Sequence, residues 1–312
     1  MNEFNLTIIG SGSAIPMHGR HPSAQILQYN DFCCLIDCGE GTQERLLPAG
    51  IKPFKISTIL ITHLHGDHVY GLPGLLSSFS HLKRTEPLVI FGPMGLKGML
   101  ESIFHYSELT LSYPISIIEM APKQLSRLLV KDNLEILTFP LDHRIACNGY
   151  IIRELSSSIN IKKDKIIEYQ LGLQQIKSLK RGEDIEVNKE RMSATAFTHD
   201  PIPPVSYAYC SDTRYNARLL SMIRGVSVLY YETTFMNDMA EMAQITGHST
   251  AGQAGKLASE AEVSCLITGH YSSRYKDISA LVAEAEANFS HVLQAEEGKK
   301  YNLRNLAKGL KH

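Results

Sequence analysis

The chain has 312 residues, enough for one large domain or two small ones around a sizeable buried core. Hydrophobic residues at 44% and charged residues at 20% are ordinary for a globular protein, and a net charge of −1 excludes a molecule that holds nucleic acid through bulk charge. No apolar run approaches the ~18 residues needed to cross a bilayer, and the opening MNEFNLTIIGSGSAIP lacks the basic region of a secretory signal, so cytoplasmic residence without membrane contact is expected.

Taken in chain order, short β-rich runs alternate with helical stretches. NLTIIGSGS reads as a strand ending in a glycine turn, and AQILQYNDFCCLID as a hairpin turning at Asn30-Asp31. ISTILIT leads into His63, EPLVIFGP ends in a Gly-Pro turn, and LEILTFPLD leads into His143. VSYAYCS leads into Asp212, VSVLYYETT carries Glu232, and CLITG leads into His270. GLPGLLSSFSHL, MGLKGMLESIF, TAGQAGKLASEAE and SALVAEAEANF, lying between or after these runs, read as helices, so the chain is an α/β protein. Four separate runs ending in His or Asp predict that these side chains meet at one rim, because ligands gather beyond the carboxyl ends of strands in layered α/β folds.

Six cysteines stand at 33, 34, 38, 147, 210 and 265 with no C-x-x-C pair, and read as reduced and buried in apolar runs. No internal repeat interrupts the chain. Residues 151–192 break its rhythm: nine Lys/Arg stand against seven Asp/Glu on weak apolar patterning. They read either as a solvated insertion or as an arm that touches an anionic partner, within an otherwise single domain spanning 1–312.

The segment ITHLHGDHVY, residues 61–70, carries the chemistry. A His-x-His pair beyond a strand end can place two imidazoles on one cation, and carboxylate is a common further ligand. Gly66 is read as the sharp turn that lets Asp67 and His68 follow at once. His63, His65, Asp67 and His68 exceed the needs of one tetrahedral ion, so two metals are expected, with His143, Asp212 and His270 completing their shells. Asp212 in CSDTRY is the expected bridge between them. Two ions ~4 Å apart suit displacement at phosphorus, and metal-bound water has a pKa of about 7, so hydroxide is available for attack near neutrality. Gly10-Ser11-Gly12 lacks the third glycine of a dinucleotide loop, and Pro16 falls where a helix should begin, so a tight turn beside the rim is read instead.

THLHGDHVYGLPGLL resembles the signature of the metallo-β-lactamase fold, in the branch of the tRNA 3′-processing endoribonuclease family, ribonuclease Z. IIGSGSAIP, IDCGEGTQ, PLDHRIACNGY, SDTR, YYETTF, GHSTAGQAG and GHYSSRY are similar to its further motifs in order, over nearly the whole chain. The resemblance implies an αββα sandwich, with two mixed sheets packed face to face, helices outside and an inserted arm at 151–192. It implies a first zinc on His63, His65 and His143, a second on Asp67, His68 and His270, and Asp212 between them; manganese or iron also suits such N/O donors. Asp67 would accept a proton from the attacking water. His248 would protonate the departing ribose 3′-oxygen, and Glu232 either orients His248 or makes a structural salt bridge. Arg274 and Tyr275 read as phosphate contacts or as caps of their loop.

The family's Gly-Pro-rich arm element is replaced here by LGLQQIKSLKRGEDI, leaving Lys177, Lys180 and Arg181 as phosphate contacts. In PMHGRH, Pro16 and Arg20 are kept near the expected cleavage site, while His21 stands for the family's Asn. The remaining histidines (18, 21, 81, 105, 199, 291 and 312) read as surface or satisfied residues. The expected activity is removal of the 3′ trailer from precursor tRNA after the discriminator base, leaving a tRNA 3′-hydroxyl and a trailer 5′-phosphate. The expected partners are precursor tRNA and a second copy of the chain, a homodimer in which each arm serves the other subunit, with no DNA. A small-molecule lactonase, thioesterase or phosphodiesterase on the same two-metal site is the competing reading; a relative that binds RNA without metals is a third.

Overall fold

The structure, a computed structural model, describes residues 3–156 and 159–309. His312 and two serines of the expected arm, Ser157 and Ser158, lie outside the described residues. Two compact units divide the chain: one formed by 1–129, Ile136–Ile152 and 206–312, the other by Val130–Glu135 and Arg153–Val205.

In the larger unit, strands that read as continuous apolar runs are buried on both faces, which requires cover above and below each sheet. Phe4–Gly10, Phe32–Ile36, Val228–Glu232 and Cys265–Gly269 are buried at every position. One seven-stranded sheet runs in the order Lys300–Asn302, Phe4–Gly10, Ala24–Tyr29, Phe32–Ile36, Ile56–Leu60, Leu88–Pro93, Ile115–Met120. Its first four strands pair antiparallel and the rest parallel, and Ala24–Tyr29 and Phe32–Ile36 form the predicted hairpin, with Asn30 at φ 50°. The other sheet orders Val292–Gln294, Cys265–Gly269, Val228–Glu232, Ser206–Cys210, Cys147–Glu154, Leu134–Leu141, Ser126–Lys131. The first four of these run parallel.

Helices Leu72–His81 and Leu96–Tyr106 pack on the outer face of the first sheet, where Leu72, Leu75, Leu76, Phe79, Leu96 and Leu100 meet Ile26, Leu35, Ile59 and Ile90. Helices Ala251–Glu260 and Ser279–Glu286 cover the second, through Ala254, Leu257, Ala258 and Ala285 against Cys210, Leu229, Tyr231 and Leu266. Between the sheets, buried tyrosines cross the layer. Tyr150 donates its hydroxyl to the carbonyl of Ile61 at 2.6 Å, Tyr209 donates to Asp37 Oδ2 at 3.0 Å, and Tyr207 bonds Gln25. This is the expected αββα sandwich. All six cysteines are buried free thiols, and burial pushes Cys33 to about 12.

The second unit has elements and a small core of its own. It holds helices Lys163–Glu168 and Leu173–Lys180, a two-stranded ribbon of Ile185–Val187 and Glu190–Met192, and the turn Ala194–Phe197. Leu171, Leu179, Ile185, Val187, Ala194 and Phe197 form a small core, with Tyr169 edge-on to Phe197 at 5.1 Å between centroids. Within 151–192, Ile151 and Ile152 are buried in the strand Cys147–Glu154 and belong to the larger unit, while Arg153 onward belongs to the second, which also takes in Val130–Glu135 and runs on to Val205. A core of one buried residue or two per short element leaves almost no periodic signal, which is why the segment reads as a charged loop.

Candidate metal centre

Parallel strands deliver the site. Asp212 follows Ser206–Cys210, His270 follows Cys265–Gly269, and His63 lies three residues after Ile56–Leu60. Asp37, Asp212 and His270 all sit in the left-handed region, with φ of 57°, 49° and 57°. Such backbone costs about 1–3 kcal/mol per residue and persists only where the surroundings fix it. Here it turns each side chain off its strand end toward one point.

Two sets of donor atoms converge there. Around the first, His63 Nε2 and His143 Nε2 lie 3.0 and 3.2 Å from His65 Nδ1, and 3.5 and 3.7 Å from Asp212 Oδ2. Around the second, His68 Nε2 and His270 Nε2 lie 3.3 Å apart, and each is 3.5 Å from Asp67 Oδ2. Asp212 Oδ1 completes this set at 3.2 and 3.0 Å. Ligands ~2.0–2.1 Å from a tetrahedral cation are separated by roughly 3.3–3.4 Å, so both sets have the edge lengths of a metal site. All seven expected ligands are brought together.

The far sides of the rings fix which nitrogen faces inward. His68 Nδ1 donates to Asp37 Oδ2 at 2.7 Å and His143 Nδ1 donates to the Gly247 carbonyl at 2.7 Å. Thr62 donates its hydroxyl to Asp37 and so accepts from His63 Nδ1 at 3.0 Å. Thr234 likewise donates to Glu232 Oε2 and accepts from His270 Nδ1 at 2.9 Å. In each case the Nε2 lone pair is left pointing at the convergence point, as a metal ligand requires.

Charge agrees with geometry. Burial, reinforced by neighbouring imidazoles, pushes His63 well below the usual histidine range, and burial also lowers His65 and His143. For His68 burial is outweighed by Asp212, Asp37 and Asp67, which raise it; for Asp67 and Asp212 burial is outweighed by the histidines, which hold both carboxylates ionised. The centre is thus a buried excess of negative charge, and its residues fit divalent cations, whose binding would displace any proton from His68 Nε2.

A cavity of about 480 Å³ opens on this centre, lined by Ser13, Asp67, Tyr70, Arg144, His248 and His270 among others. The turn after the first strand reaches its rim, where the Ala14 amide donates to Asp67 Oδ2 at 2.8 Å. His248 Nδ1 donates to Glu232 Oε1 at 3.0 Å, and Glu232 also accepts from the Thr213 amide at 2.7 Å. Burial would lower His248, but the charge and hydrogen bond of Glu232, with Asp212 and Asp67, outweigh it and raise the imidazole to about 9.

Other expected residues stand elsewhere. Arg20 spends its guanidinium on the carbonyls of Ser272, Tyr275 and Lys276. Tyr275 accepts the Met236 amide at its hydroxyl, 3.1 Å away, and Arg274 is exposed; neither lines the cavity. His21 bonds Glu297 with Arg45 alongside, a satisfied histidine as read. Lys177, Lys180 and Arg181 lie in the second unit, exposed at the end of helix Leu173–Lys180, with Arg181 held 2.7 Å from both oxygens of Glu183.

Gly66 is a correction. Its φ is not positive; it opens the short helix Gly66–Val69, and a Cβ there would come 2.6 Å from Cδ2 of Tyr70. Glycine here lets the Tyr70 ring lie against it; the backbone makes no sharp turn. Asp37 has no place among the expected site residues, yet it is fully buried and holds His68, Thr62 and Tyr209 at once. The segment IDCGEGTQ held that signal: an acid directly after a wholly apolar strand. We expect Asp37→Asn to weaken metal retention by roughly 10-fold or more, read by titration against a competing chelator.

Comparison with known proteins agrees with this architecture. A family model described as Anti-Pycsar protein Apyc1 matches residues 4–108. Ribonuclease Z of Bacteroides fragilis is 36% identical over 298 residues, covering 95% of this chain and 98% of its own. Among solved structures, human tRNase Z, short form, superposes with a TM-score of 0.70 at 23% identity, covering 96% of this chain and 99% of its own. The metallo-β-lactamase fold protein YhfI from Bacillus subtilis gives 0.67 at 19%, covering 96% and 99%. The two structural likenesses carry the fold, and the sequence likeness extends over almost the full length of both chains.

Proposed function

This chain belongs to the ribonuclease Z family, and on that premise we propose how its residues perform the reaction and what they bind. The activity is that of an endoribonuclease processing the 3′ end of precursor tRNA, a phosphodiester hydrolysis. The observation that carries the mechanism is Asp212, which gives Oδ2 to the His63, His65 and His143 set and Oδ1 to the Asp67, His68 and His270 set.

Those seven residues would hold two zinc ions, which would supply the positive charge that activates water and offsets charge developing on the phosphoryl oxygens. Asp67 orients the attacking water and takes its proton, its carboxylate kept ionised by His68 and His270. The bond from phosphorus to the ribose 3′-oxygen of the discriminator breaks as the bond to water forms. His248 has its Nδ1 engaged by Glu232, so only Nε2 can deliver a proton to that 3′-oxygen. Glu232 keeps His248 charged and aimed, and through Thr234 steadies His270 as well. The products are a tRNA 3′-hydroxyl and a trailer 5′-phosphate.

The second unit is the arm that grips the tRNA body, acting across a homodimer on the partner's substrate, and the enzyme works in the cytoplasm; none of its described helices is long and apolar enough to cross a membrane. Replacing Lys177, Lys180 and Arg181 together by Ala is expected to raise KM for precursor tRNA, leave kcat nearly unchanged and flatten the salt dependence of binding. Arg181→Ala alone should have the smallest effect, because Glu183 already neutralises it. The deciding experiment is cleavage of a 3′-extended precursor by purified protein whose metal content is measured by mass spectrometry. Product ending at the discriminator with about two zinc ions per chain supports the assignment. An intact precursor, alongside hydrolysis of a generic phosphodiester, moves it to a small-molecule hydrolase.

A further inference from the structure

Tyr70 and Arg144 line the cavity and take no part in the steps above. Tyr70 is 70% exposed, although it lines the wall beside Asp67 and His65. Its ring lies over the bare Cα of Gly66 in the short helix that carries Asp67 and His68, so part of one face rests against protein and the ring stands in the mouth. An aromatic face standing at the mouth of a cavity is what a nucleic-acid base stacks on. Arg144 is the one Lys or Arg among the residues lining that cavity. Its stem packs on the turn at Gly247, where a Cβ would meet Arg144 Cγ at 3.3 Å. Among the described residues its guanidinium has no recorded carboxylate or hydrogen-bond partner, in contrast to Arg214, which is tied to Asp142 and the Gln244 carbonyl, and Arg20, which is tied to three carbonyls.

A cation left unpaired in a cavity rich in buried carboxylates is placed for an anion that arrives with the substrate. We propose that Tyr70 and Arg144 form a single-nucleotide subsite at the mouth of the cavity, Tyr70 stacking on the base beside the scissile phosphate and Arg144 holding the neighbouring, non-reacting phosphate. This rests on the endoribonuclease reading and adds to it a means of seating the strand. Stacking tolerates any base, so the subsite favours an unpaired nucleotide without selecting its identity. It also separates RNA from small esters, which offer neither a second phosphate nor a base.

The test pairs each side chain with the substrate group it is assigned. Tyr70→Ala should lower kcat/KM on a 3′-extended precursor tRNA by roughly 5- to 150-fold, and by less than about twofold on a precursor carrying an abasic ribose at the stacked position, since the two deletions remove the same contact. Abasic substrates are made at each nucleotide flanking the cut to locate that position. Arg144→Ala should behave the same way against a neutral methylphosphonate at the neighbouring linkage, and Arg144→Lys should restore only part of the loss. Equal losses on intact and modified substrates, or no loss on the intact one, overturn the subsite. If the parent enzyme leaves the intact precursor uncut, the endoribonuclease reading falls and the subsite with it; if the parent cuts and both variants match it, the subsite alone falls.

Discussion

Asp212→Ala is expected to lower precursor cleavage by about a thousandfold or more in a protein that still folds. The carboxylate is 2% exposed and stands 3.0–3.7 Å from four histidine nitrogens, two in each donor set. Its removal deletes one ligand from each set and the negative charge between them. Metal-assisted charge stabilisation of several kcal/mol corresponds to at least that loss in rate. Folding should survive because the large apolar layers lie on the outer faces of the two sheets, in clusters that do not include Asp212. The checks are metal content by mass spectrometry, circular dichroism and a precursor assay on one preparation. A folded variant cleaving near the parental rate would remove the bridging role. Asp67→Ala should match it in rate while keeping more metal, because Asp67 serves one set only.

Most of this centre is legible in the sequence for a physical reason. Strands buried on both faces read as continuous apolar runs, so the polar residue that ends each run stands out: His63, Asp212 and His270 are visible in this way. Topology then does what spacing cannot, placing strand ends from opposite halves of the chain beside one another. Asp37 ends its strand in the same manner, yet it donates no atom to either set and acts through Thr62 and His68, a role that pattern alone does not disclose. Arg144 escapes notice because an arginine next to a histidine ligand is unremarkable until its missing partner is seen. The second unit is hidden more thoroughly. Its core is six residues spread over short elements, and Ile167 and Leu173 are 78% and 80% exposed, which blurs the apolar periodicity further. Gly66 teaches the converse: a glycine in a metal motif invites a backbone explanation, whereas here it leaves room for the Tyr70 ring, which a larger side chain would displace.

His248→Ala should lower kcat on precursor tRNA by roughly 10²–10⁴-fold with little change in KM, the range for loss of a positioned general acid. The loss must depend on the leaving group. A ribose 3′-alkoxide departs badly unless protonated, whereas nitrophenolate needs no proton, so the variant should hydrolyse bis(p-nitrophenyl) phosphate within a few-fold of the parent. An equal loss on both substrates would assign His248 to holding the metal centre, a role open to it by position, since its ring stacks against His270 at 5.5 Å and lies 5.1 Å from His143. The pH profile separates these roles independently. Burial opposes the charged form of His248, but Glu232, Asp212 and Asp67 together raise it to about 9. A group raised in this way keeps its proton through neutrality and loses it as the pH climbs, so it sets the alkaline limb of kcat. Glu232→Gln withdraws the nearest charge while keeping an acceptor for Nδ1, and the limb should therefore move to lower pH. Bound cations also draw His248 down, so the informative quantity is the displacement between variant and parent measured with the same metal content. A displacement toward acid, combined with a surviving activity on the nitrophenyl ester, requires that Glu232 act through the proton on His248; a structural salt bridge would change stability and leave the limb in place.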